Sequence, residues 1–243
     1  MPSSEQDTYY LKKEGDDFFR RNFGGKEPPR LRPAKVNILE QIDALGVAGL
    51  AVLEYGCCYG DLLAVLAEQS AGRVCVGVEA SVEALQFGRA RYGSQVQFHH
   101  GTIADNALNQ AGESRGRFDL VIVDDVFGWV SRETLYQSMA NIDQALAEGG
   151  HLFIRDFYPM GKLKNRNHHV ADAEVFNFKV PGSHASLFEA SGLYEIVSQR
   201  TYVDQTEMSS TYQSARQFGT RWADTVLRKS STGYYHPVER VKP

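Results

Sequence analysis

Cysteine is scarce in this chain: Cys57, Cys58 and Cys75 are the only three among 243 residues. An odd number without framework spacing excludes a disulfide scaffold and points to a reducing compartment, so a cytoplasmic location is expected. Long apolar runs are missing too. No stretch approaches the ~20 residues of a membrane span, and Met1 to Gly15 is polar, so neither a membrane partner nor a leader is expected. Strong charge of either sign is absent. The net charge is −4, and the first 35 residues set eight Lys/Arg against six Asp/Glu. That excludes a nucleic-acid partner held by phosphate neutralisation. Repeats and low-complexity tracts are lacking. So is the G-x-G-x-x-G fingerprint that places a pyrophosphate over a strand-to-helix turn.

What is present begins at Val52-Leu53-Glu54-Tyr55-Gly56-Cys57-Cys58-Tyr59-Gly60. Apolar Leu50 to Leu53 reads as a buried strand. An acid ends it, two glycines bracket three positions, and Leu62, Leu63, Val65 and Leu66 follow at helical spacing. A strand, a glycine turn and a helix make a nucleotide-binding corner, because backbone without Cβ admits a ligand to the helix N-terminus. The carboxylate of Glu54 would repel a pyrophosphate, which argues against a nicotinamide dinucleotide. It suits a ligand carrying an ammonium group, such as S-adenosylmethionine.

Later segments repeat the pattern. Val74 to Glu79 is a second apolar strand ending in an acid, 19 residues after Gly60. A carboxylate there can accept both hydroxyls of a ribose. Val96 to His99, Phe118 to Asp125 and His151 to Ile154 read as three further strands, the last preceded by Gly149-Gly150. In this order and spacing the segments resemble the class I S-adenosylmethionine-dependent methyltransferases over roughly residues 48 to 160. The remainder matches by pattern alone. Asp17-Phe18-Phe19-Arg20-Arg21-Asn22 is similar to a segment of bacterial sugar-pathway methyltransferases.

The resemblance implies S-adenosylmethionine as cofactor and a fold to match. That fold is α/β, Rossmann-like and doubly wound, with a mostly parallel seven-stranded sheet and an antiparallel C-terminal edge strand. Glu54, Gly56, Cys57 and Gly60 fall at the methionine end, with Arg21 and Asn22 facing the cofactor carboxylate. Glu79 and Ala80 fall at the ribose, Thr102 and Ile103 at the adenine, and Asp124 beside the reactive methyl. Two positions depart from the family: Cys58 stands where a glycine is common, so the turn should avoid a left-handed backbone there, and Thr102 stands where an acid is common, so that Asp105 reaches back or a hydroxyl substitutes.

Methyl transfer from a sulfonium is an in-line displacement, and the protein must align the acceptor and remove its proton. His168 and His169 are candidate bases, with an ordinary pKa near ~6.5. Asp124 is another candidate, and Tyr158 could orient substrate. Val123-Asp124 also resembles the metal position of catechol-type O-methyltransferases, with Asp156 as a second oxygen ligand. Arg155 places a cation where that subfamily has its next acid, so no metal is expected.

Residues 1–33 carry Tyr9, Tyr10, Phe18, Phe19 and Phe23, too aromatic for a disordered tail. They are expected as a helical cap or lid. Residues 34–243 form the methyltransferase domain, opened by an amphipathic helix with Val36, Leu39, Ile42 and Leu45 inward. Ser81 and Ser131 can cap later helices, and Ser183 to Ser191 reads as a short one. Residues 156–182 lack an apolar period and read as an inserted loop, a substrate lid. Residues 193–203 and 221–228 read as the last strands, with an insertion at 204–220. The expected reaction is methyl transfer to a hydroxyl or amine of a small molecule, a carbohydrate or secondary-metabolite intermediate. A non-catalytic S-adenosylmethionine-binding partner subunit is the alternative on the same fold, and oligomeric state, a homodimer included, stays open.

Overall fold

The computed structural model describes residues 4–105, 108, 116–203 and 221–230. Seven strands form one sheet: β1 (Ala51–Tyr55), β2 (Val74–Glu79), β3 (Val96–His100), β4 (Phe118–Asp124), β5 (Leu146–Phe157), β8 (Tyr194–Val203) and β9 (Arg221–Lys229). Their order is β3-β2-β1-β4-β5-β9-β8. The first five strands pair in parallel, while β9 runs antiparallel to both β5 and β8. The C-terminal strand is therefore antiparallel but lies one place in from the edge. Parallel strands buried on both faces read as continuous apolar runs, which is why β1, β2 and β4 stand out in the sequence.

Helices cover both faces. α3 (Pro33–Leu45), α4 (Asp61–Gln69) and α5 (Val82–Tyr92) bury Ile38, Ile42, Leu62, Leu66 and Leu85 on one side. α6 (Leu135–Ala145) and α7 (Ala185–Ala190) bury Ile142 and Phe188 on the other. Ser81 caps α5, its Oγ accepting from the Ala84 amide at 3.0 Å. Thr134, not Ser131, precedes α6, and β5 starts at Leu146, five residues earlier than the glycine pair suggests. Strand order reverses between β1 and β4, so a crevice opens at their C-terminal ends, the place where ligands of doubly wound sheets bind.

Two expectations need correction. α3 does not bury the 36–39–42–45 stripe: Val36 and Leu45 are exposed, and the inward face is Lys35, Ile38, Gln41 and Ile42. Residues 156–182 are not structureless, because β6 (Leu163–Arg166) and β7 (Phe176–Lys179) pair as an antiparallel hairpin. The N-terminal segment is a nearly continuous helix, α1 (Glu5–Tyr9), a π turn at Tyr10–Glu14, then α2 (Gly15–Phe23). It is fastened to α5, where Asp16 Oδ1 accepts from Ser81 Oγ at 2.7 Å and from the Glu83 amide at 3.0 Å. The 204–220 insertion lies outside the described residues.

One glycine tests the corner directly. Gly60 precedes α4 at φ +77°, and a Cβ there would lie 2.6 Å from Phe98 Cζ. A left-handed backbone costs a non-glycine residue ~1–2 kcal/mol, and overpacking adds ~1–3 kcal/mol. Gly60→Ala is expected to lose about 2–5 kcal/mol of stability in urea unfolding. A loss below ~0.5 kcal/mol would mean that this turn is not constrained as described.

Candidate cofactor and substrate site

A cavity of about 1030 Å³ opens at the C-terminal ends of β1, β2 and β4 and is roofed by α2 and the π turn. Its first wall is the turn after β1. Gly56 has φ +70°, and a Cβ there would meet Val126 Cγ2 at 2.4 Å. Cys58 has φ +55°, so this cysteine does adopt the left-handed backbone that its Cβ argues against. What holds it is Glu79: the Cys58 amide donates to Glu79 Oε2 at 2.8 Å, and the Ser81 amide donates to Oε1 at 2.8 Å. Strain of ~1–3 kcal/mol persists only where surroundings over-determine it, and two charge-assisted amide bonds do that. Burial pushes the thiol of Cys58 up to about 12 and that of Cys57 well up, so neither is a thiolate at neutral pH.

Beneath the turn lies a buried charge network. Lys35, on the first turn of α3, is 1% exposed; its Nζ sits 2.5 Å from Glu54 Oε1 and 2.7 Å from Asp124 Oδ2. Arg155 Nε is 3.8 Å from Asp124 Oδ1 and 2.7 Å from Asp224 Oδ1. Burial would lower the ammonium of Lys35, but Asp124 and Glu54 overcome it and raise its pKa. For Asp124 burial would raise the carboxyl, and Lys35 with Arg155 instead hold it below the ordinary value. Burial wins at Glu54, whose carboxyl rises from 4.5 to about 7 against the opposing pull of Lys35 and Arg32. The cation that Glu54 meets is thus Lys35, and Glu54 does not reach the cavity.

The far end of the cavity is built differently. Asp125 also has a left-handed backbone, at φ +55°, which turns its side chain away from the sheet and into the cavity. The Trp129 indole stands beside its carboxylate and favours the charged form. Tyr10, from the π turn, faces Trp129 with ring centroids 6.4 Å apart. Asn167, His168 and His169 line the same region from the segment joining β6 to β7. Burial pushes the Asp125 carboxyl well up, and the neighbouring charges of Asp124 and Asp156 push it further. The side chain is open to the cavity that it lines.

The sequence candidates sort cleanly. Arg21, Asn22, Gly56, Glu79, Ala80, Thr102, Ile103, Asp124, His168 and His169 all line the cavity. Cys57 and Gly60 lie beneath it; Cys57 Sγ packs against Gly77, where a Cβ would come within 2.5 Å. Tyr158 is not brought to the site; its amide donates to the Arg221 carbonyl at 2.6 Å. Arg21 Nη2 donates to Glu14 Oε1 at 2.6 Å, and Asn22 Nδ2 to the Phe18 carbonyl at 2.8 Å. Asp105 does not line the cavity; it accepts from Thr102 N and Oγ1 at 3.0 Å each and closes the turn after β3. Asp156 is buried against His184 Nδ1 and does not approach Asp124 as a second metal ligand would. Among the described residues no cluster of three His, Cys, Asp or Glu is placed to hold a metal ion. The sequence reading missed Lys35 and Trp129. It named Arg155 only as an argument against a metal, Tyr10 only as part of the N-terminal cap, and Asp125 only as the second acid of an Asp-Asp pair at the end of a strand.

A family model described as a methyltransferase domain matches residues 47–216. No curated protein matches the chain. Among solved structures, the chain is similar to a Burkholderia thailandensis 1,6-didemethyltoxoflavin-N1-methyltransferase with bound 1,6-didemethyltoxoflavin and S-adenosylhomocysteine. The two are 17% identical, the match covers 95% of this chain and 92% of that one, and the TM-score is 0.63. A Mesorhizobium loti S-adenosylmethionine-dependent methyltransferase matches at 14% identity, covering 78% and 96%, with a TM-score of 0.55. One from Methanosarcina mazei matches at 13%, covering 82% and 98%, with a TM-score of 0.58. Among the described residues no helix is long and apolar enough to cross a membrane.

Proposed function

Because the chain belongs to the methyltransferase-domain family and uses S-adenosylmethionine, we propose that it methylates a hydroxyl or amine of a small molecule inside this cavity. The observation that carries the reading is Glu79. Its carboxylate lines the cavity, yet each oxygen already accepts one backbone amide, which fixes both oxygens while leaving lone pairs toward the cavity. A fixed double acceptor at the end of β2 suits the two hydroxyls of a ribose. Ala80, Thr102 and Ile103 then receive the adenine, and Gly56 and Asp124 flank the methionine end, with Arg21 and Asn22 offering donors to its carboxylate. Cys57 and Gly60 shape this pocket from below, and the α1–α2 helix serves as its lid.

The cofactor, when bound, supplies the electrophilic methyl group. The chain's residues orient the acceptor, exclude water and take the proton. A cavity of this volume holds a cofactor and a small acceptor together, and ligand pockets are commonly ~300–1,000 Å³. The Burkholderia enzyme, crystallised with a small-molecule substrate, supports that class. A carbohydrate or secondary-metabolite intermediate and a cytoplasmic location remain our reading. Calorimetric titration tests the assignment: saturable binding of S-adenosylmethionine with none of NAD is the expected result, and the reverse would overturn it.

We further propose that turnover needs no divalent metal. Lys35 already neutralises Asp124, and His184 holds Asp156. Exhaustive chelation with EDTA should leave the rate within about twofold; a loss restored by added Mg²⁺ would make Asp124 a metal ligand after all.

A further inference from the structure

β4 ends in two consecutive acids that the fold treats in opposite ways. Asp124 is neutralised by Lys35 at 2.7 Å, with Arg155 3.8 Å away. Asp125, one residue on, is carried by its left-handed backbone into the cavity, where its partner is the neutral indole of Trp129. Lys179 and Tyr10 also face it, from β7 and from the π turn. Among the described residues no side chain forms an ion pair with it, and Lys179 itself lies over the Phe157 ring at 3.4 Å. Beside the carboxylate stand two aromatic rings, Tyr10 and Trp129, in tilted array. A carboxylate next to two π faces is a receptor for a small cation: the ring quadrupoles attract it and the acid neutralises it. It has no matching use for a neutral hydroxyl.

From this geometry we infer that the acceptor of this enzyme is an amine, bound as its ammonium by Tyr10, Trp129 and Asp125, with Asp125 as the base that deprotonates it. The inference rests on the methyltransferase reading and narrows its substrate. In the step, the ammonium gives one proton to the Asp125 carboxylate and becomes a neutral amine. Its lone pair forms the new N–C bond with the methyl carbon of S-adenosylmethionine as the C–S bond breaks, and that electron pair stays on sulfur. The products are a methylated ammonium, S-adenosylhomocysteine and a neutral Asp125 carboxyl, whose proton then leaves to water. The high proton affinity of Asp125 suits this role, since a carboxyl pushed up by burial, Asp124 and Asp156 is a stronger base than an ordinary one.

Benzylamine and benzyl alcohol are a matched pair of probes, followed by tryptophan fluorescence and calorimetry in the presence of S-adenosylhomocysteine. The protein should bind the amine at least ~10-fold tighter than the alcohol. Asp125→Asn keeps a residue that tolerates the left-handed backbone, so it should fold, and it should lose that preference. Amine affinity should rise with pH as protons stop competing for Asp125, and that rise should be absent in the variant. Equal binding of amine and alcohol, or an unchanged preference in Asp125→Asn, would overturn the inference. S-adenosylmethionine titrated into the same proteins separates the two levels. If it binds while the amine preference is absent, the amine site alone fails; if it does not bind, the methyltransferase reading fails with it.

Discussion

Glu79→Ala is expected to weaken S-adenosylmethionine binding by at least ~1.5 kcal/mol, a loss of more than about tenfold in affinity. A hydrogen bond to a charged acceptor is worth ~1.5–3 kcal/mol, and two ribose hydroxyls would lose theirs together. A second effect adds to the first. Glu79 is also what holds the Cys58 amide, and with it the left-handed turn that forms one wall of the cavity. The alanine variant therefore loses a contact and the shape of the pocket at once. Glu79→Gln separates them, because one amide oxygen can still accept from Cys58 while the paired acceptor is gone. Calorimetry should rank wild type, then Gln, then Ala. An alanine variant that unfolds like wild type and binds the cofactor equally well would remove Glu79 from the ribose.

The sheet and the lining of the cavity at the ends of β1, β2 and β4 were legible because they rest on short-range rules. β1, β2 and β4 are apolar runs closed by an acid, and Gly56, Glu79 and Ile103 sit at fixed offsets from their ends. The buried charge network and the far end of the cavity were illegible for two physical reasons. Lys35 and Gln41 look like solvent-facing residues of α3, yet they point inward because Glu54, Asp124 and Asp224 need partners there. Charge pairing turned the helix so that Val36 and Leu45 are exposed, while Leu39 and Ile42 of the same stripe still pack on the core. Tyr10 and Trp129 belong to segments far apart in the chain, and only tertiary packing gathers them. The left-handed Cys58 was misjudged from local sterics, since the amide bond that offsets its strain comes from Glu79, 21 residues away. The hairpin of β6 and β7 carries no clean alternation, because its β6 strand is largely exposed.

The largest stability effect should come from Lys35→Met. This substitution keeps the apolar stem of the side chain and deletes its charge, leaving Glu54 and Asp124 without their shared cation. Breaking a buried ion pair by removing one partner costs ~3–5 kcal/mol, a large part of the ~5–15 kcal/mol that holds an ordinary domain together. For a chain of this size that corresponds to a midpoint lower by roughly 10 °C. The deficit should also depend on pH, in a direction fixed by Glu54. Its carboxyl rises from 4.5 to about 7 in the fold, mainly through burial. The folded state therefore holds that proton more tightly than the unfolded chain. The resulting stability is fully present below about pH 4.5 and is lost as pH rises through about 7. Without Lys35 the folded carboxyl climbs higher still, so the variant falls further behind wild type between pH 5 and pH 8. Adding Glu54→Gln removes the orphaned charge and should recover part of the loss. Urea unfolding of the three proteins at both pH values measures each step. A Lys35→Met deficit that is the same at pH 5 and pH 8 would show that lost packing, not the stranded carboxylates, sets its size.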